Sequence, residues 1–319
     1  MSNTQYAIRN TNSALPGSDD ITRVVLPNGI TILSRTNFNS PSVVISGYLP
    51  VGALFDPDEK LGLADFTASA LMRGTEKRDF QAIYDEIESA GASFGFNART
   101  HNVGFGGRSL SEDLPLLLDL LADTVRQPIF PVEHVERLRA QLLTGLAIRA
   151  QDTRDMASMV FDEIVYAGHP YSRPEDGFPE TVQAITRDDL AAFHRSKYGP
   201  KGMVISIVGA VEPQKAIDQV TSILGDWENP EQAEKPLLPA LKSLEKRAQR
   251  HHAIPGKSQS DIVMGFVGPK RRDPDYMAAS LGNSVLGQFG MMGRIGDVVR
   301  EKSGLAYYAY SSLSAGLGP

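Results

Sequence analysis

Arg300 and Tyr307 are the residues near the end of the chain whose side chains could best bind a reacting carbonyl group. They lie seven positions apart in the stretch REKSGLAYY, which reads as a helix end followed by a strand start. A guanidinium offers a rigid fork of N–H donors and a phenol offers one O–H donor, so together they could bind a carbonyl oxygen that gains charge. Both also have ordinary structural uses, because arginine complements a helix C-terminus and strand tyrosines often pack in a core. The spacing crosses a helix end and therefore does not decide between these roles.

Metal binding is the second chemistry that the residue types could support. The chain has no cysteine, which excludes thiolate ligands and disulfides. Its histidines are His101, His134, His169, His194, His251 and His252. No two of them have the i, i+4 spacing that places two imidazoles on one helical face. The histidines therefore predict no metal site.

The stretch LGLADFTASALMRGT, Leu61 to Thr75, predicts a short amphipathic helix from about Gly62 to Arg73. A zinc-peptidase helix needs two histidines on one face and a glutamate beside them to activate water. This helix has no histidine and no glutamate, and Asp65 is its only carboxylate. On its residues alone it is a core helix.

The helix nevertheless resembles the signature helix of the pitrilysin/insulinase-type zinc peptidases, which include mitochondrial processing peptidase. That signature reads G-L-A-H-F-L-E-H-x-x-F-x-G-T, and its frame is kept here at Gly62, Leu63, Ala64, Phe66, Gly74 and Thr75. Asp65 and Ser69 stand where the family has its two histidines, and Ala68 stands where it has the glutamate. The resemblance covers about residues 21–319.

The resemblance also implies a third zinc ligand, a glutamate on a later helix. The matching helix is predicted from Pro131 to about Ala150, and it holds no carboxylate between Glu136 and Asp152. Every zinc-binding position is thus replaced, because aspartate and serine alone give too few and too weak ligands. We predict that this chain binds no catalytic zinc and carries no cofactor of its own.

The end of the chain resembles the second-half motif of the same family, R-E-x-x-G-L-x-Y. Arg300 and Tyr307 match its arginine and tyrosine, with Glu301, Gly304 and Leu305 in register. In the family, this pair lies across a chamber from the zinc and binds the substrate peptide near the scissile bond. The resemblance therefore implies a substrate-binding role for Arg300 and Tyr307.

Two parts of the chain resemble each other and indicate a duplication. Each has a buried apolar run that predicts a strand, then a turn with Asp-Pro-Asp at 56–58 or 273–275, then a helix rich in small residues. The predicted fold is α+β, a duplicated metallopeptidase-like α/β sandwich with a mostly antiparallel sheet, helices packed on one side and an incomplete second copy. Asn28-Gly29 between alternating apolar runs predicts a hairpin at the start of the first copy.

We predict four segments along the chain. Residues 1–20 are polar and form a mobile arm, and 21–225 form the first peptidase-like domain. A proline-rich stretch, 226–249, reads as a linker, and 250–319 begin the second domain. The chain stops within what reads as a strand, and we therefore expect it to be part of a longer protein.

Composition excludes several functional classes. A net charge of −6 and a pI near 5.6 argue against binding to nucleic acid. No apolar run approaches the ~18–20 residues of a membrane span, and no secretory signal is visible. We expect a cytoplasmic protein, with the periplasm as the alternative.

These observations lead to a hypothesis with one alternative. The chain would be the zinc-free subunit of a heteromeric bacterial zinc peptidase, inactive alone, that gives Arg300, Tyr307 and half of a chamber to a homologous partner. That partner would carry the H-x-x-E-H helix and the zinc, and the substrate would be an unfolded peptide. The alternative is a non-catalytic structural or peptide-binding subunit that resembles the core subunits of the cytochrome bc1 complex.

Overall fold

The fold begins with the hairpin that Asn28-Gly29 predicts. The computed structural model describes residues 17–242 and 244–318, and in it Gly29 has a φ of +94°, which glycine adopts without strain. The Asn28 amide donates to the carbonyl oxygens of Leu224 (2.7 Å) and Trp227 (3.2 Å). The hairpin prediction is confirmed, and its turn is also fixed to residues far away in the sequence.

Six strands form one sheet in the described part of the chain. They are β1 Thr22–Val25, β2 Thr31–Thr36, β3 Ser42–Leu49, β4 Ser93–Ala98, β5 Val103–Leu110 and β6 Val204–Gly209. Their order across the sheet is β1-β2-β6-β3-β5-β4. Every neighbouring pair is antiparallel except β2 and β6, which are parallel. The mostly antiparallel sheet is therefore confirmed.

Ten helices accompany the sheet within the described residues. They are α1 Leu63–Ala70, α2 Phe80–Ser89, α3 Leu114–Arg126, α4 Val132–Arg149, α5 Thr153–Val165, α6 Pro179–Ala184, α7 Arg187–Lys197, α8 Pro213–Leu224, α9 Tyr276–Gly287 and α10 Phe289–Gly296. Helix α10 is kinked by non-helical angles between Gly290 and Gly293, and the π-helical turn Asp297–Lys302 follows it. None of these described helices is long and apolar enough to cross a bilayer.

The sheet buries one face and exposes the other. Along β3, Val43, Ile45 and Leu49 are buried, whereas Val44 and Tyr48 are exposed. This alternation follows from the two-residue period of a strand, which sends successive side chains to opposite faces. The buried face packs on helices α1, α3, α7 and α8 in one hydrophobic core. Helices on one side of the sheet were predicted, and this part of the fold is confirmed.

The chain divides into two compact units. The first takes in the residues up to Leu146 and Glu175–Pro236, and the second takes in Ala147–Pro174 and the residues from Leu237 onward. Most of the predicted N-terminal arm, residues 1–16, lies outside the described residues. The predicted domain and linker bounds stay predictions, and no sequence signal indicated that residues 147–174 group with the later residues.

The second unit lacks the strands that its sequence predicts. Neither the run from Asp261 to Gly268 nor the run that begins at Tyr307 forms a strand in the described structure. Both strand predictions were wrong, because a strand needs a neighbouring backbone to complete its hydrogen-bond ladder and no described residue supplies one. Helix α9 does form directly after Asp273-Pro274-Asp275, as the duplication predicts.

A charged network centred on Arg78 joins helices α2 and α3. Its guanidinium donates to Glu86 (2.9 Å), Asp119 (2.6 Å) and Asp123 (3.0 Å). Asp123 is buried, and its Oδ2 accepts both from Arg78 and from the Thr75 hydroxyl (2.7 Å). Its Oδ1 has no hydrogen-bond partner among the described residues. A buried carboxylate with so few donors depends on the arginine for its charge balance.

We expect Arg78→Met to lower the free energy of unfolding by about 3–5 kcal/mol, because it leaves the charge of Asp123 buried and uncompensated. Urea unfolding followed by circular dichroism measures the loss. Adding Asp123→Asn to Arg78→Met should restore part of the stability, since the uncompensated charge is then removed. The control is Lys77→Met, whose side chain is 57% exposed and should change little. Equal losses for the Arg78 and Lys77 variants would contradict a buried network.

Candidate functional site

A buried carboxylate holds the start of helix α1, which carries the replaced zinc positions. Asp56 Oδ2 accepts from the backbone N–H of Gly62 (3.0 Å), and its Oδ1 accepts from that of Ala64 (2.9 Å). Gly62 has a φ of +93°, and a Cβ there would lie 2.9 Å from the carbonyl oxygen of Asp176. The retained glycine and Asp56 thus fix the helix without any metal.

The three replaced positions differ in their surroundings. Ala68 is buried and packs in the core, whereas Asp65 and Ser69 are partly exposed. Asp65 lies in the first turn of α1, where the helix N-terminus favours a negative charge. The methyl group of Ala68 has no lone pair, so nothing at this position can activate a water molecule.

Asp65 is the polar group that stands out on this helix. Burial raises the pKa of its carboxyl to about 6, and the negative charges of Asp176 and Glu175 add to the effect, while Arg99 opposes it. Glu175 is itself engaged, because the backbone N–H of Thr100 donates to it at 2.5 Å. The carboxyl of Asp65 is therefore an acid that titrates just below neutral pH.

The residues present do not fit a catalytic zinc ion. Position 68 has no donor atom, a serine hydroxyl is a poor zinc ligand, and helix α4 has only Gln141, Leu142, Leu143, Thr144 and Gly145 where the resemblance implies a glutamate. Within residues 17–242 and 244–318, no three His, Asp or Glu side chains come close enough together to hold a metal ion. No step of any mechanism is assigned to a metal in this chain.

Tyr198 is a residue near this helix that sequence reasoning missed. Its ring is buried, and its hydroxyl has no hydrogen-bond partner among the described residues. Burial raises the pKa of the phenol, and the charges of Asp65 and Asp56 raise it further. The hydroxyl thus lies within electrostatic reach of both carboxylates. No sequence signal could have found it, because Tyr198 follows α7 and is brought to α1 only by packing.

Arg300 and Tyr307 lie against each other in the second unit. The Arg300 guanidinium carbon lies 5.0 Å from the centre of the Tyr307 ring, within the range of a cation–π contact. Arg300 belongs to the π-helical turn, and Gly304, with a φ of +58°, ends that turn and reverses the chain. The Tyr307 side chain is 82% exposed, so its hydroxyl is open to a ligand. The structure brings together the two side chains that the sequence could not connect.

The two neighbouring tyrosines form a second cluster in the same unit. The Arg154 guanidinium lies 5.9 Å from the ring centres of both Tyr308 and Tyr310, and it donates to the Tyr310 hydroxyl. The Tyr308 hydroxyl donates to Asp261 (3.2 Å), whose other oxygen accepts from Thr153. These contacts occupy Tyr308 and Tyr310, whereas the Tyr307 side chain makes no hydrogen bond with a residue in the described part of the chain.

Two of the histidines, His194 and His169, have packed, structural surroundings. His194 Nε2 lies 2.9 Å from the carbonyl oxygen of Val125, and burial lowers the pKa of its ring to about 4. His169 is buried, and its Nδ1 accepts from the backbone N–H of Tyr171. The two rings lie in different units and each is packed among aromatic neighbours.

Comparison with known families agrees with this arrangement. Residues 31–174 match the sequence profile described as insulinase (peptidase family M16), and residues 184–318 match the profile described as the peptidase M16 inactive domain. The chain belongs to peptidase family M16. The resemblance seen in the Leu61–Thr75 helix and in the Arg300–Tyr307 motif is therefore confirmed at the level of the family.

The related proteins include both peptidases and a respiratory subunit. The chain is 29% identical over 304 residues to an uncharacterized zinc protease of Streptomyces coelicolor, covering 93% of this chain and 65% of that protein. It is 25% identical over 267 residues to cytochrome b-c1 complex subunit 1 of Homo sapiens, covering 83% of this chain and 55% of that protein. The chain thus spans less than two thirds of the length of these relatives.

A solved structure supports the fold of the described residues. The peptidase M16 inactive domain from Pseudomonas fluorescens superposes with a TM-score of 0.78 at 26% identity, covering 93% of this chain and 71% of that one. The α+β sandwich and the incomplete second copy are therefore confirmed.

We expect Asp65→Asn to stabilise the protein at pH 7 by about 1–3 kcal/mol, because it removes a carboxylate that burial disfavours. Between pH 3.8, the ordinary value, and about 6, the folded protein holds a proton that the unfolded chain has released. The free energy of unfolding should therefore fall as pH rises through this window. Urea unfolding from pH 4 to 7 measures the slope.

The control for this prediction is Asp188→Asn, since the Asp188 side chain is 90% exposed. That variant should keep the pH dependence of the wild-type protein, whereas Asp65→Asn should flatten it. A wild-type slope that survives in Asp65→Asn would show that another group carries the pH dependence.

Proposed function

We propose that this chain is the zinc-free subunit of a heteromeric zinc peptidase. It contributes Arg300, Tyr307 and half of a substrate chamber to a homologous partner that carries an H-x-x-E-H helix. The substrate is an unfolded peptide, and the assembly is a heterodimer. The chain alone is not a catalyst.

The observation that carries the proposal is an asymmetry between the two copies. In the first copy, the replaced positions on α1 supply only the carboxylate of Asp65 and the hydroxyl of Ser69. The third replaced position, Ala68, is buried and has no polar side-chain atom. In the second copy, the guanidinium carbon of Arg300 lies 5.0 Å from the centre of the Tyr307 ring, and the tyrosine side chain is exposed. Loss of function throughout would not explain why one set is replaced while the other is intact and in contact.

The chemistry of the pair suits the binding of a peptide carbonyl. The guanidinium can donate two N–H groups, and the Tyr307 hydroxyl can donate a third hydrogen bond from beside it. Donors fixed in this way before the reaction stabilise negative charge on a carbonyl oxygen without reorganisation. The zinc of the partner would supply the activated water, and this chain would orient the peptide.

We also propose that the protein is located in the cytoplasm. Its partner is a protein rather than a nucleic acid, in line with the net charge of −6. The clearest candidate for the partner is an M16 protein with intact zinc ligands encoded next to this chain, because subunits of one complex need to be made together.

The alternative is a structural or peptide-binding subunit without a part in catalysis. The similarity to cytochrome b-c1 complex subunit 1 over 83% of this chain favours it. In that case Arg300 and Tyr307 would be retained without a catalytic role. The two candidates differ in one result, namely whether the assembled pair cleaves peptides.

We expect the purified chain to contain far less than one zinc ion per molecule after exposure to zinc and dialysis, since its replaced positions offer too few ligands. Elemental analysis by mass spectrometry measures the content. The intact partner, treated in the same way, provides the positive control. One tightly held zinc ion per chain would contradict the account of Asp65, Ala68 and Ser69.

We expect Arg300→Ala or Tyr307→Phe to reduce the kcat/KM of the assembled pair by about 10²-fold or more, because each removes a donor to the reacting carbonyl. Cleavage of a fluorogenic unfolded peptide measures the rate, and sedimentation velocity checks that the subunits still assemble. Lys302→Gln is the matched control, since it lies in the same π-helical turn with a 67% exposed side chain.

The outcomes separate the two candidate functions. Normal cleavage by both variant pairs would remove Arg300 and Tyr307 from the mechanism. Tight assembly of the wild-type pair without any cleavage would instead support the structural subunit.

A further inference from the structure

Arg154, at the start of helix α5, contacts two of the three tyrosines in the run 307–310. Its guanidinium carbon lies 5.9 Å from the ring centres of both Tyr308 and Tyr310, and the guanidinium donates to the Tyr310 hydroxyl. The centres of the two rings lie 6.2 Å apart, close to the ~6.8 Å between residues two apart in an extended chain. One arginine therefore holds both tyrosines on the same side of the chain.

Asp261 and Thr153 strengthen this contact. The Tyr308 hydroxyl donates to one carboxylate oxygen of Asp261 (3.2 Å), and the Thr153 hydroxyl donates to the other (2.5 Å). Thr153 and Arg154 are consecutive residues in the first turn of α5, and the Asp152 carboxylate accepts from the backbone N–H of Arg154 (2.9 Å). All of these residues belong to the second unit. The capped end of α5 is thus a fixed point to which the tyrosines are attached.

The stability of α5 does not explain an arginine at position 154. A positive charge in the first turn of a helix is repelled by the partial positive charge of the helix N-terminus. The side chain of Arg154 is exposed, so packing in a core does not account for it either. Among the described residues, the contacts of this guanidinium are those with Tyr308 and Tyr310. We infer that holding these tyrosines is what the arginine does.

The backbone around these tyrosines is held at two points. The N–H of Leu305 donates to the carbonyl oxygen of Val299 (3.0 Å), and the N–H of Ser311 donates to that of Gly287 (3.2 Å). Within the part of the chain that the structure describes, residues 306–310 make no backbone–backbone hydrogen bond. Side-chain contacts therefore decide the orientation of this segment.

The chain bends at Tyr307, which lies between the turn that ends at Gly304 and the two tyrosines held by Arg154. The contact of Tyr307 with Arg300 is worth only about 0.5–1 kcal/mol at an exposed site, which is too little to fix the bend by itself. The turn fixes the chain before the bend, and Arg154 fixes it after the bend. The direction of the Tyr307 side chain is thus set from both sides.

We propose that Arg154 is a positioning residue for the Arg300–Tyr307 pair. By holding the two later tyrosines against the end of α5, it keeps the Tyr307 hydroxyl beside the Arg300 guanidinium, so that both can donate to one peptide group of the substrate. The effect on cleavage rests on the proposed function, whereas the effect on the pair itself is a property of this chain alone.

Nuclear magnetic resonance of the full chain, labelled in its arginines, tests the positioning without a partner. The Nε–H signal of Arg300 is assigned by its loss in Arg300→Lys. The ring of Tyr307 shifts this signal upfield, and Tyr307→Ala gives its position without the ring. We expect Arg154→Met to move the signal most of the way to that position, because the ring is then no longer held beside the guanidinium.

Arg250→Met is the matched control, since Arg250 binds Glu163 of the same helix (2.6 Å) and should leave the Arg300 signal in place. Tyr310→Phe removes the hydrogen bond of Arg154 but keeps both rings, so it should move the signal in the same direction by a smaller amount. Circular dichroism checks folding, and Tyr310→Phe decides if Arg154→Met does not fold. An Arg300 signal that stays at its wild-type position would overturn the proposal.

A double-mutant cycle on the assembled pair tests the link to cleavage. Arg154→Met alone should lower kcat/KM by about 10-fold or more, with the loss in kcat, because a displaced donor no longer meets the reacting carbonyl. In Tyr307→Phe the same change should cause little further loss, since the hydroxyl that Arg154 positions is already gone.

The outcomes of the cycle distinguish this inference from the proposed function. Losses that add in the double variant would show that Arg154 does not act through Tyr307, and they would overturn the inference. Absence of cleavage by the wild-type pair would contradict the proposed function instead, and the Arg300 signal would then decide the positioning.

Discussion

The buried carboxylate of Asp56 is the interaction on which the first unit depends. It accepts from the N–H groups of Gly62 and Ala64, which have no partner inside helix α1, and it thereby fixes where that helix starts. The helix then carries Phe66 and Ala68 into the core under the sheet. Because the anchor is a carboxylate and two amides, the helix keeps its position without zinc. The ligand positions could therefore change to Asp65, Ala68 and Ser69 while the frame around them remained.

Local signals in the sequence predicted most of the first unit. The starts of helices α7 and α8 follow from such local signals, because Thr186 and Asp189 form a reciprocal cap and Pro213 stands in the first turn of its helix. The hairpin at Asn28-Gly29 was also predicted from a local signal, the Asn-Gly turn. The strands of the second unit were predicted wrongly, since the 261–268 run has the composition of a strand but no neighbour among the described residues. Composition indicates a preference for extended backbone, but a strand also needs a neighbouring strand with which to form hydrogen bonds.

The candidate site shows the same limit. Asp65, Ala68, Ser69, Arg300 and Tyr307 were all named from the sequence. The contact between Arg300 and Tyr307 could not be, because the helical turn ends at Lys302 and the left-handed conformation of Gly304 then sets the direction of the chain toward Tyr307. The raised pKa of Asp65 and the buried hydroxyl of Tyr198 also depend on packing between α1 and the end of α7. Residue types indicate the available chemistry, and the fold decides which groups meet.

The exposure of the Arg300–Tyr307 pair bears on how it could act. A cation–π contact at an exposed site is worth only about 0.5–1 kcal/mol, so the pair is held mainly by the turn that ends at Gly304. Tyr307 makes no side-chain hydrogen bond within residues 17–242 and 244–318, and the Arg300 guanidinium lies 3.3 Å from the carboxylate of Glu301. The N–H groups of Arg300 and the O–H group of Tyr307 lie side by side and can still donate hydrogen bonds. They therefore suit a ligand with several acceptors, such as the backbone of an extended peptide. A purely structural pair would instead be expected to satisfy its donors within the fold, as the Tyr308 hydroxyl does by donating to Asp261.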